Sequence, residues 1–118
     1  MDLKLRVAGD VLIVNLRGDL DHHSAAEIKN DIMHEYSSKL CRDIIFDFSE
    51  LYFMDSAGIG MLIGRYKQVC INGGSVYAVG VSPVIERIFE LSGLNKIIKR
   101  YPTVEAAVNA VNVKKEVI

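Results

Sequence analysis

The stretch Phe53-Met54-Asp55-Ser56-Ala57-Gly58-Ile59-Gly60 marks a strand giving way to a helix, and its reading decides the fold. Upstream, Ile44, Phe46 and Phe48 alternate with Ile45 and Asp47, the two-residue period of a strand. Downstream, Ile59, Leu62, Ile63, Tyr66, Val69 and Cys70 recur at helical spacing, and Asn72-Gly73-Gly74 closes that helix. This pattern puts Ser56 at the N-cap, where a side-chain oxygen accepts from free backbone N–H groups. A helix start also favours negative charge, through its dipole and its unpaired amides. Gly58 and Gly60 follow within the helix, where a glycine costs ~0.8–1 kcal/mol relative to alanine. Stability does not ask for them. Close packing of helix on sheet does, or close approach of a partner.

The alternation continues in both directions. Leu3, Leu5 and Val7 interleave with Asp2, Lys4 and Arg6 as a half-buried strand, and Gly9-Asp10 turns the chain into a second strand over residues 11–17. Ser24-Ala25-Ala26-Glu27 reads as a capping box. The helix it opens carries Ala25, Ile28, Ile32, Tyr36 and Leu40 on one face. Residues 76–81 form another buried strand, and Ser82-Pro83 starts a third helix that Ser92-Gly93 ends. A short strand near residues 97–99 leads through Pro102-Thr103 to a last helix bearing Val104, Ala107, Val108 and Val111. Residues 113–118 read as a frayed tail, leaving one domain over residues 1–112.

The order ββαβαβαβα predicts an α/β domain. Its sheet is mostly parallel, built from sequential right-handed βα units, with one antiparallel edge strand and the helices mainly on one face. A doubly wound arrangement, with helices on both faces, is the alternative. Either way the loops at the C-terminal ends of the strands share one rim, holding residues 19–23, 55–60 and 80–83.

Composition narrows the class. A chain of 118 residues, 50% hydrophobic and 25% charged, buries about two-thirds of its unfolded surface as a single domain. A formal net charge of −1 gives no electrostatic reason to expect nucleic acid or an anionic membrane. Cys41 and Cys70 show no metal or redox spacing, and Cys70 falls on the apolar stripe as an inert buried thiol. A reducing, cytoplasmic compartment is expected, since the chain shows neither a signal-peptide pattern nor an apolar run of membrane-spanning length.

Asp19, Asp21, His22, His23, Asp55 and Ser56 are the rim residues that could do chemistry. Adjacent histidines diverge on a strand or helix, so Asp21-His22-His23 reads more simply as a polar loop than as a metal site. No G-x-S-x-G elbow surrounds Ser56, and the glycines at 58 and 60 lack the lysine of a phosphate loop. With the apolar stripe turned inward, the outward face of this helix runs through Ala57, Gly60, Met61, Gly64 and Gln68, flanked by Arg65 and Lys67. Small residues there permit close backbone approach, and methionine adapts to a partner surface. The segment is too short, and too charged at Arg65, for a membrane pairing motif. A docking face is the sharper reading.

These residues carry a family resemblance that spans nearly the whole chain. Gly18-Asp19-Leu20-Asp21 resembles the G-[DE]-[LI]-D loop of the STAS family, and Asp55-Ser56-Ala57-Gly58-Ile59-Gly60 resembles its D-S-[ST]-G-[LI]-G phosphorylation motif. Ala57 departs from the usual serine or threonine. The blocks Phe53-Met54-Asp55-Ser56, Leu62-Ile63-Gly64-Arg65-Tyr66-Lys67-Gln68 and Leu91-Ser92-Gly93-Leu94-Asn95-Lys96-Ile97-Ile98, with Asp21-His22-His23, resemble the sporulation branch of its anti-sigma factor antagonists. The resemblance implies a regulator without catalysis or cofactor of its own. Unphosphorylated, such a protein binds an anti-sigma factor serine kinase and frees sporulation sigma F. The kinase then uses its own ATP to phosphorylate the residue matching Ser56, and a PP2C-type phosphatase reverses the step. A STAS module of a general-stress pathway is the alternative. Asp21, His22, Asp55, Gly58, Gly60, Met61, Gly64 and Arg65 are the expected partner-binding residues, and neither direct nucleic-acid binding nor membrane insertion is expected.

Overall fold

Half-buried Asp2–Ala8 (β1) meets Val11–Leu20 (β2) in an antiparallel hairpin, with Ala8 opposite Val11 and Gly9 at φ +66° in the turn. The structure, a computed structural model, describes residues 1–117, with side chains through Lys114. Ala25–Ser38 (α1), Asp43–Met54 (β3), Ser56–Ile71 (α2), Val76–Val79 (β4), Pro83–Ser92 (α3), Lys99–Tyr101 (β5) and Val104–Val117 (α4) follow. The strands lie side by side in chain order, and every pair after the first is parallel. The predicted α/β architecture with one antiparallel edge strand is the observed one.

Three helices share one face. Ile28, Ile32 and Tyr36 of α1, Leu62 and Val69 of α2, and Ile85 and Phe89 of α3 pack on Leu12, Val14, Ile44, Phe46, Phe48 and Ala78. Burial of these side chains supplies most of the driving force for the fold, at ~1.5–3 kcal/mol for each fully buried large one. The fourth helix covers the opposite face, where Ala107 and Val111 meet Val11, Ile13, Ile45, Tyr77 and Val79. Right-handed crossovers govern only helices that link two parallel strands. Among the described residues α4 links no pair of parallel strands, so this rule leaves it free to cross behind the sheet.

Other boundaries differ from the sequence reading. The chain makes a 3₁₀ turn at Leu94–Lys96 that buries Leu94, so β5 starts two residues later than periodicity suggests. Leu40 is not on the buried face of α1. It lies beyond the helix end, at φ +53° and 85% exposed. The tail expected at 113–118 begins inside α4, which runs to Val117, and residue 118 lies outside the described residues.

The feature that positions the rim is the length of β2 and β3. After register shifts near Asn15–Arg17 and Gly18–Asp19, the two strands stay paired to their ends, with Asp19 opposite Phe53 and Leu20 opposite Met54. The chain therefore leaves both strands at neighbouring points. Asp21 and Asp55 follow immediately.

Candidate functional site

Asp55 organises this corner. Its Oδ1 accepts hydrogen bonds from the N–H groups of Ala57 at 2.9 Å and Gly58 at 3.1 Å, which makes it the N-cap of α2. Its Oδ2 accepts from the backbone N–H of His22 at 3.1 Å and lies 3.5 Å from His22 Nδ1. Its own N–H donates to Leu20 O at 3.2 Å. One side chain thus ties the loop after β2 to the start of α2. The Gly58 hydrogen bond, then those from His22 and Ala57, outweigh desolvation and hold the Asp55 carboxyl below its ordinary pKa.

Ser56 is consequently not the cap. It is the first residue of the helix, exposed, and its hydroxyl makes no hydrogen bond among the described residues. Sequence periodicity located the helix start to within one residue, and the carboxylate before the serine took the acceptor role. Ser24 shows the same substitution of roles. Its hydroxyl caps no helix N–H, and instead accepts from the Asp21 N–H at 3.2 Å. Asp21 Oδ1 accepts from the N–H groups of His23 at 3.0 Å and Ser24 at 3.2 Å. Desolvation alone would raise the Asp21 pKa, but these bonds and the Ser24 hydroxyl bring it below its ordinary value. Ser82 does cap α3, accepting from Ile85 N–H at 3.3 Å, with Pro83 in the first turn as expected.

The predicted partner-binding residues separate into two groups. Gly58 is buried, and a Cβ there would stand 2.5 Å from Leu20 O, so packing of α2 on the sheet requires a glycine at this position. Gly60 and Gly64 face open space, where a Cβ would meet nothing within 4 Å. They line an open groove of about 320 Å³ between α1 and α2, together with His22, Ala26, Lys29 and Met61. Met61 and Arg65, read from the sequence as outward or flanking, are buried at 5% and 6% exposure and border this groove from below. The helix is turned about its axis relative to the sequence reading. Gly58, Leu62, Arg65 and Val69 face inward, Ile59, Ile63 and Tyr66 are half-buried, and Cys70 is exposed rather than buried.

A second hollow of about 300 Å³ adjoins Ser56 on its other side, lined by Met54, Ile59, Ile88 and Leu91. Sequence reading did not connect α3 with the serine. Its signal was Leu91, an exposed apolar residue in the last turn of an otherwise amphipathic helix. Among the described residues, no group of three or more His, Cys, Asp or Glu side chains could hold a metal ion, and no helix is long and apolar enough to cross a membrane. The corner thus presents the Ser56 hydroxyl, without a hydrogen bond among the described residues, near two open grooves.

The STAS domain family model matches residues 2–107. The chain belongs to the STAS domain family. Its likeness within the family runs to the anti-sigma F factor antagonist of Paenibacillus polymyxa, 37% identical over 91 residues that cover 77% of this chain and 78% of the relative. Among solved structures, the anti-sigma factor antagonist SpoIIAA in its unphosphorylated form superposes with a TM-score of 0.83 at 28% identity, covering 94% of this chain and 96% of that one. The phosphorylated form of the Bacillus cell fate determinant SpoIIAA gives 0.74 at 30% identity, over 93% of this chain and 99% of that one. The STAS fold thus accounts for the sequential sheet and for the corner where β2 and β3 end together.

Proposed function

We propose that this STAS domain is an anti-sigma factor antagonist whose unphosphorylated form binds an anti-sigma factor serine kinase and releases sporulation sigma F. Phosphorylation of Ser56 ends that binding, and a PP2C-type phosphatase restores it. The domain supplies a hydroxyl and a surface, while ATP belongs to the kinase. It works in the cytoplasm, without direct contact with nucleic acid or insertion into membrane. The likeness to antagonists of anti-sigma F factor, and to SpoIIAA in two phosphorylation states, supports the reading.

The observation that carries it is the exposed, unbonded Ser56 hydroxyl in front of helix amides that Asp55 already occupies. A phosphate brings about −1.5 to −2 charges. The N–H groups of Ala57 and Gly58 are engaged, and the Asp55 carboxylate stands beside the new group. The phosphate therefore remains at the surface, where it excludes a partner by charge and volume instead of refolding the domain. A clash of ~3 kcal/mol corresponds to more than a hundredfold in affinity.

Incubation with the anti-sigma F factor of Paenibacillus polymyxa and ATP, followed by intact mass and site mapping, tests the assignment. One phosphate on Ser56, and loss of the complex once it is added, are expected. Phosphate on Ser24 or Ser82 with Ser56 unmodified refutes it.

A further inference from the structure

Arg65 is 94% buried by its 6% exposure, yet its Nε and Nη1 have no hydrogen-bond acceptor among the described residues. Burial pushes the guanidinium pKa down, but an arginine stays charged. A buried cation without an acceptor is costly, and folds keep such groups where something supplies the missing partner. Arg65 borders the groove between α1 and α2. Among the described residues no acidic side chain lines that groove, whose ionisable residues are Arg65, Lys29 and His22. Ala26, Gly60 and Gly64 also line it, and a Cβ at either glycine would meet nothing within 4 Å, so the backbone of an incoming chain can come close.

We propose that this groove is a carboxylate slot, in which the Arg65 guanidinium, whose Nε and Nη1 are closed to solvent in the free domain, turns to receive an aspartate or glutamate side chain from the anti-sigma factor and Lys29 attracts it at the rim. The proposal rests on the functional reading above, that the α1–α2 side of the domain docks such a factor. A carboxylate accepts from a guanidinium in strong charge-assisted bonds, and the low dielectric around Arg65 strengthens them. A protein-borne carboxylate suits the site better than a free anion. The groove is open, which gives a loose ion little to hold it, and its small residues leave room for the chain that carries an inserted side chain.

The experiment compares wild type, Arg65→Met and Lys29→Met for thermal stability and for affinity toward the P. polymyxa anti-sigma F factor. Methionine keeps the volume of the buried stem and removes an uncompensated charge, so the melting temperature of Arg65→Met should hold or rise. Its affinity should fall about 30-fold or more, as expected when one partner of a desolvated charge pair is lost. Lys29→Met should lose a few-fold, and the loss should shrink at high salt. In Arg65→Glu, one acidic-to-lysine change on the factor should restore binding. Equal affinity of wild type and Arg65→Met overturns the slot and leaves the functional reading intact. A fall in melting temperature that accounts for the binding loss overturns it too. An Arg65-dependent rise in melting temperature with inorganic phosphate alone marks a free-anion site and also overturns it. If wild type does not bind the factor, the functional reading fails. A hexaglutamate peptide titrated into 15N-labelled protein then decides the slot, which requires the Arg65 Nε–H resonance to shift and is refuted if it does not.

Discussion

Three glycines on one helix should respond to the same substitution with opposite signs. Replacing glycine by alanine inside a helix gains ~0.8–1 kcal/mol from backbone entropy alone. At Gly60 and Gly64 the added methyl meets nothing within 4 Å, so each variant should realise most of that gain. At Gly58 the methyl would stand 2.5 Å from Leu20 O, 3.0 Å from Leu20 Cγ and 3.1 Å from Met54 Cβ. The first of these is a backbone atom of β2 that also accepts the Asp55 N–H. Nor can the helix retreat freely, because the Gly58 N–H donates to Asp55. Overpacking of this kind costs typically 1–3 kcal/mol, and a fixed carbonyl places it at the upper end. After the propensity gain the net loss for Gly58→Ala should be about 2 kcal/mol, a difference of ~3 kcal/mol between neighbouring sites. Urea unfolding of the three single variants, at unchanged m-value, measures it directly. Equal stabilisation of all three would refute the packing role of Gly58. Destabilisation of Gly60→Ala or Gly64→Ala would refute the open face on which the docking reading stands.

The capping roles give a second contrast: Asp55→Ala should lower the melting temperature, whereas Ser56→Ala, at an exposed residue without bonds, should stay within ~0.5 kcal/mol of wild type by chemical denaturation. Equal losses would return the cap to Ser56. Asp21 and Asp55 have folded pKa values below their ordinary 3.8, so both contribute stability fully above that pH and lose it as the pH falls through the lower folded values. An acid titration of stability should therefore be flatter in Asp55→Asn than in wild type, and identical curves would refute the linkage. Ser56→Asp should bind the anti-sigma factor more weakly than Ser56→Ala in calorimetry, and equal affinities would count against exclusion by charge.

Much of this architecture was legible because local signals agreed with tertiary ones. Alternation at Leu3, Leu5 and Val7, the Gly9-Asp10 turn, Ser82-Pro83, and Gly93 at φ +81° each fix an element from within a few residues. What periodicity could not resolve was rotation. In α2 the apolar residues span a wide arc, since the helix meets both the sheet and α1. Ile59, Ile63 and Tyr66 marked one edge of that arc rather than its centre, so Cys70 emerged and Arg65 sank. Caps failed for a related reason. Asp55 and Ser56 are both good N-cap residues, and choosing between them requires knowing that Oδ2 also reaches His22 across the loop. The placement of α4 behind the sheet depends on a face of β2, β3 and β4 that no local pattern in α4 specifies.

Strand order has a consequence for biosynthesis. Each strand pairs with the one made just before it, so a nascent chain can extend its sheet edge by edge as residues leave the ribosome, without waiting for a distant segment. The helical face closes progressively along with it. The other face does not: Val11, Ile13, Ile45, Tyr77 and Val79 stay uncovered until α4, which follows all five strands in the chain, arrives. A chain stalled or clipped before Val104 would display that apolar sheet surface to the cell, with every strand in place and nothing to shield it.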